Sequence, residues 1–247
     1  MPAPTRFTSG LTQAGSFQPL GALGIPDPFF YAMYEDDFLP YNAALYTVTA
    51  SGGSVAGTVA SGSGGRILIT TGGSAGNFGE LQLPAAGFQY VAGKKLAFLC
   101  RLQVANVTTS SILAGLINTT ATPFAAVADG IYFSKAAAST NLVLNVVTGG
   151  SSKGTATLAG ALANATDIDL GFVVNRLGDI KAFAGANLEG AKRQNFTVLG
   201  PNFGILNSAL TGAITAVLLN PTIAVSNGAT AAAMTGVADF LFAAQER

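Results

Sequence analysis

The chain has no histidine, no tryptophan and a single cysteine among its 247 residues. Without histidine there is no Ser-His-Asp arrangement, no ordinary general base near neutral pH and none of the commonest metal ligand. The lone thiol, Cys100, excludes an internal disulfide and any multi-thiolate metal centre. It sits in an apolar alternating stretch, which makes it a small buried hydrophobe and not a nucleophile. Charge is scarce as well. Twelve basic and twelve acidic residues cancel, and only 10% of the chain is charged, against about 25% in an ordinary globular protein. No electrostatic footprint for nucleic acid or an anionic membrane results. A neutral, weakly charged surface suits a protein whose faces are covered by neighbours. Long apolar runs are missing too: the best candidate, ITAVLLNPTIAV at 214–225, is broken by Asn220-Pro221 and falls short of a membrane span. The opening MPAPTRFTSGLTQ has no apolar h-region, so no secretory signal is expected. The glycine-rich GSGG and TGGS lack the spacing and lysine of a phosphate loop, and no cofactor is expected.

What is present begins with proline. Pro2, Pro4, Pro19, Pro26 and Pro28 fall in the first 28 residues with no helical or strand period, which predicts an extended arm over residues 1–33. The arm is too apolar for a solvated tail, with Phe7, Phe17, Leu20, Leu23, Ile25, Phe29 and Phe30 as candidate contact residues. They bury either against their own domain or against a neighbouring subunit. From residue 34 to 247 period two takes over and predicts one domain. In KKLAFLCRLQV, 94–104, Leu96, Phe98, Cys100, Leu102 and Val104 share one face. DGIYFSK and NLVLNVV, joined through residues 136–140, predict a hairpin, as do DIDLGFVVNR and GDIKAFAG. VADFLFAAQ predicts a last strand, and the Gly/Ser/Ala stretch 50–65 a surface loop or edge strand. Frequent glycine-rich turns and no βαβ rhythm favour an all-β, two-sheet antiparallel sandwich.

Acidic residues are few enough to weigh one by one. Glu35-Asp36-Asp37, inside YEDDFLPYN, is the one run, and adjacent residues point to opposite sides of an extended chain. They are a poor catalytic pair for glycoside hydrolysis. The motif instead predicts the lead-in to the first strand, Tyr34 and Phe38 anchored in apolar surface and the acids solvated or paired with a basic residue. Asp167 and Asp169 share one side of a strand and could bind Ca²⁺, with a solvated face as the plainer expectation. Four Asn-x-Thr sequons, at Asn106, Asn118, Asn164 and Asn195, read as chance matches in a Thr-rich chain.

The order of motifs carries a resemblance. YEDDF leads into LYTVT, a glycine-rich break and GGRILITTG; then come GELQLP, GKKLAFLCRLQV, ILAGLINTT, ADGIYFSK, GFVVNRLGDIKAFAG and a closing VADFLFAAQER. This succession resembles the concanavalin-like, laminin-G-like jelly-roll structural proteins of tailed-phage virions. The resemblance implies a jelly-roll sandwich without enzymatic activity. Its expected role is a capsid decoration protein on the virion surface, made in the host cytoplasm. The partners it implies are the major capsid protein and other copies of itself, as a homotrimer, with neither nucleic acid nor membrane. The alternative role is a glycan- or receptor-binding module of a tail or fibre. Glycosidases of this fold carry an E-x-D-x-E type strand, which this sequence lacks.

Overall fold

The computed structural model describes residues 29–39, 41–60, 65–84, 87–158, 162–186, 197–198 and 217–247. Phe7, Phe17, Leu20, Leu23 and Ile25 lie outside the described residues. The described chain is all-β apart from one 3-10 turn, Ala43–Leu45. Fifteen strands follow in order: β1 Tyr31–Asp36, β2 Thr47–Ala50, β3 Val55–Val59, β4 Ile67–Thr70, β5 Phe78–Gln82, β6 Leu96–Val104, β7 Ser111–Ile117, β8 Gly130–Lys135, β9 Leu142–Thr148, β10 Ser151–Leu158, β11 Ile168–Val174, β12 Ile180–Ala186, β13 Thr197–Val198, β14 Asn220–Ser226 and β15 Thr235–Glu246.

They form two antiparallel sheets. An eight-stranded sheet runs β13-β12-β11-β6-β15-β4-β3, with β1 also paired to β15. A seven-stranded sheet runs β10-β9-β8-β7-β14-β5-β2. Successive strands β4 to β7 alternate between the sheets, so the chain winds around the core as a jelly roll. The five inward residues of β6 are buried, Cys100 completely, and burial raises its thiol well above the ordinary value. Phe98 stacks on Phe172 of β11 at 5.7 Å between ring centroids, and Phe172 meets Phe133 of β8 at 6.3 Å, joining the sheets through three rings.

Both expected hairpins form, β8 with β9 and β11 with β12. The second turns at Asn175, whose Oδ1 accepts from the Leu177 and Asp179 amides, with Gly178 at a φ of 87°. The stretch 50–65 contains β3, the terminal strand of the eight-stranded sheet, as the edge-strand expectation had it. Pro221 is the second residue of β14, where its missing N–H is least disruptive, and its carbonyl accepts from Leu83 N at 3.2 Å. β15 carries a bulge between Ala238 and Phe240, with Asp239 as the extra residue. Beyond that bulge, β15 exchanges one neighbour for another: its first residues pair with β4 and its last with β1, so these two strands lie end to end along it.

The start of the sandwich differs from expectation. β1 begins at Tyr31, so the sheet takes in three residues assigned to the arm, and YEDDF forms the end of that strand and the turn after it. Phe29 and Phe30 precede it, 86% and 65% exposed. Among the described residues no helix is long and apolar enough to cross a membrane.

Candidate functional site

The acidic run divides by exposure. Asp36 is the end of β1 and is ringed by phenols: Tyr46 OH donates to its Oδ2 at 2.6 Å, and Tyr34 OH donates to the Tyr46 oxygen at 2.6 Å. The Phe38 amide donates to Asp36 Oδ1 at 2.7 Å. Burial pushes the Tyr34 phenol up to about 12, and burial followed by the bond to Asp36 raises that of Tyr46 further. Tyr41 stacks on Tyr46 at 5.9 Å, and Phe38 is buried against the same ring. Phenols and a backbone amide, and neither solvent nor a basic residue, thus satisfy Asp36. Glu35 and Asp37 are exposed. The motif ties β1 to the segment before β2; Tyr34 and Phe38 anchor it as expected.

Asp167 and Asp169 are not a solvated face. Arg101 of β6 reaches Asp169 through Nε at 2.7 Å and Asp239 through Nη1 at 3.3 Å. Arg66, just before β4, pairs with Asp167 and lies 3.7 Å from Asp239. The bonds to Asp169 chiefly raise the Arg101 guanidinium. Two guanidinium groups therefore take up the oxygens of three aspartates, across strands β4, β15, β6 and β11. The bulge places Asp239 among them, opposite both arginines. A cation reading has little left to bind, and among the described residues no group of three His, Cys, Asp or Glu side chains is arranged to hold a metal.

The more informative surface is the outward face of the seven-stranded sheet. On β5, Leu81 faces the core, and a Cβ on Gly79 would strike Ile69 of the opposite sheet, so Phe78, Glu80 and Gln82 point outward. Glu80 is fully buried, with Thr49 of β2 on one side and Ala224 of β14 on the other. Neither carboxyl oxygen has a hydrogen-bond partner. Desolvation pushes the carboxyl up to about 7, and the neighbouring Thr49 side chain pulls weakly the other way. Glu80 is the only acidic residue on any of the seven strands of this sheet.

The connection from β7 to β8 covers part of this face. Asn118 accepts on its backbone oxygen from Gln82 Nε2 at 3.3 Å, and Thr119 Oγ1 accepts from Asn220 at 2.8 Å. Phe124 meets Phe78 at 6.2 Å, and Val127 packs on Leu113, Ile117 and Ala224. The half made by β8, β9 and β10 is more open. There Tyr132, Ser134 and Asn145 are half-buried and Thr155 and Thr157 exposed, with Asn145 Nδ2 donating to Ser134 Oγ at 2.8 Å. Apart from Lys153, exposed at the β10 bulge, this floor is uncharged, rich in hydroxyls and amides, and carries one aromatic ring.

No protein-family model and no curated protein matches the chain. Solved structures do. Arcelin-5, a lectin-like defence protein from Phaseolus vulgaris, superposes with a TM-score of 0.59 at 8% identity, over 88% of this chain and 100% of its own. The fold is that of the concanavalin-like jelly rolls. An endo-1,3-β-glucanase from Streptomyces sioyaensis superposes at 0.57 with 14% identity, over 89% and 98% of the two chains. A Shewanella oneidensis protein of unknown function follows at 0.55 and 12%, over 88% and 87%. At such identities the likeness is of fold alone. Lectin-like proteins and an enzyme share it, and function must be argued from this chain's own residues.

Among the candidate contact residues, only Phe29 and Phe30 are described, side by side and exposed. In the sequence Glu80 is one isolated acid among several. Its parity with Phe78 and Gln82 was readable, but the loop that covers this face was not.

Proposed function

We propose that the chain is a non-enzymatic structural protein of a tailed-phage virion, a decoration protein bound to the shell of the major capsid protein and associated with copies of itself. The observation that carries the non-catalytic part is the seven-stranded face. It holds a single carboxylate, fully buried, with no second acid on any strand beside it, whereas glycoside hydrolysis uses two carboxyl groups facing one bond. The order of motifs supports the virion setting, and the exposed Phe29 and Phe30, leading from an apolar segment, support attachment through that end. Removing residues 1–28 leaves β1 intact. Co-sedimentation with shells of the major capsid protein should show saturable attachment of the full chain and none of the truncated one. Equal occupancy by both would contradict the role given to the arm.

A glycan-binding role is favoured by the open half of the same face, where Tyr132 offers a ring beside Asn145, Thr155 and Thr157. Titration with neutral oligosaccharides tests it: binding lost in Tyr132→Ala would support it, and no binding by the unaltered chain would remove it.

A further inference from the structure

Glu80 projects outward from β5 and is nevertheless fully buried, with no hydrogen-bond partner on either carboxyl oxygen. Two of its neighbours on that face are held by one segment. Phe78, two residues earlier on β5, meets Phe124, and Ala224, directly opposite Glu80 on β14, packs against Val127. Phe124 and Val127 both belong to the β7–β8 connection, residues 118–129, which therefore crosses the strip where Glu80 lies.

This connection holds together as one piece. Asn118 Oδ1 accepts from the Ala128 and Asp129 amides at 3.1 and 2.9 Å, and the Asn118 amide donates to the Asp129 carbonyl at 2.9 Å, which closes its base. At its tip the Thr122 carbonyl accepts from the Ala125 and Ala126 amides, and Thr120 Oγ1 accepts from Thr122 N and donates to the Ala126 carbonyl. Its hold on the sheet is slighter. Two side-chain bonds lie beside the base, from Gln82 to the Asn118 carbonyl and from Asn220 to Thr119 Oγ1. Beyond them come the contacts of Phe124, itself 37% exposed, and of Val127; between Thr119 and Ala128 only Pro123 is buried.

A buried carboxyl that ionises must regain water or find a counter-charge. Among the described residues no counter-charge faces Glu80. β2, β7 and β14 carry no charged residue, β5 none besides Glu80, and the connection only Asp129 at its base, whose Oδ1 accepts from Gly149 N at 2.9 Å. Water is what remains. Of the elements around Glu80, β2 and β14 are laddered to β5, so the connection is the one that yields at least cost.

We propose that residues 118–129 form a strap that opens to solvate Glu80 when its carboxyl loses its proton, covering the middle of the seven-stranded face in acid and uncovering it towards neutral pH. Opening presents Phe78, the Glu80 carboxylate and Gln82 to solvent. The closed strap favours the proton, so opening is rarest below about 4.5, grows more frequent as pH rises to about 7, and levels off where the closed form has lost the proton too. This device is independent of the virion role, which rests on the arm and on Phe29 and Phe30.

Limited proteolysis of the purified full chain by chymotrypsin tests it, because cleavage of a briefly opened segment tracks the population of the open form. Leu177, 76% exposed in the β11–β12 turn, is the reference site in the same digest and cancels the protease's own pH dependence. The rate after Phe124, relative to that after Leu177, should rise roughly tenfold or more between about pH 5 and about pH 8. It should stay flat in Glu80→Gln and in Glu80→Ala, and rise as before in Asp37→Asn, which alters an exposed acid. Cleavage after Phe133, in the core of β8, should not rise with it. A flat ratio in the unaltered chain overturns the proposal, and so does a rise that survives the loss of Glu80. A rise shared by Phe133 would mean that the whole sandwich loosens, which overturns it as well.

Discussion

A buried carboxyl without a partner favours its neutral form, and Glu80 is that case. Its folded value of about 7 lies above the ordinary 4.5, so protonation is linked to folding. The contribution is complete below about 4.5, declines as pH rises through about 7 and is absent above it. Glu80→Gln should abolish that decline and stabilise the protein at pH 8 by on the order of 3 kcal/mol, the linkage value of the shift. Denaturant unfolding of both proteins on either side of the window checks this. An unchanged pH dependence in the variant would mean that Glu80 is solvated. Asp36 was only half legible. The sequence suggests anchoring by Tyr34 and Phe38, but its satisfaction comes from Tyr46, ten residues on, and only the fold brings that phenol within reach.

Strands were legible where period two survives in the sequence: β6, β8, β9 and β11 all show it. β1 was not. Its residues, YAMYED, have no apolar alternation, and its extended form rests on pairing with the last turn-free residues of β15. β14 is buried at all seven positions, as is β11, so neither strand has a solvent face. At this scale Arg101 links β6, β11 and β15. Arg101→Met would leave Asp169, mostly buried, without its main partner, and should cost roughly 2–3 kcal/mol, below the range for a fully buried pair because the cluster is partly solvated. Thermal melting checks it, with restoration expected in the double variant Arg101→Met/Asp169→Leu. Phe172→Ala removes the middle ring of the three that join the sheets and should cost about 3–5 kcal/mol by the same measurement. A loss under 1 kcal/mol would show that the sheets are held elsewhere.

Across the whole molecule, scarcity of charge is the property that sequence and structure share. The sequence shows it as a count; the structure shows where it falls, on edge strands whose core-facing Val48 and Val59 are exposed and on a polar sheet face whose strands carry one acidic residue, the buried Glu80. Those positions were beyond sequence reasoning, because exposure of an inward-facing residue depends on which strand ends each sheet. The fold class followed from local pattern, while the partly covered face depends on Phe124 reaching Phe78 across the β7–β8 connection. For the proposed decoration role the most direct measurement is electron cryomicroscopy of shells saturated with the full chain. The account predicts the sandwich seated on the outer surface of the major capsid protein, with Phe29 and Phe30 enclosed in that contact. Bare shells beside free chain at saturating concentration would contradict it.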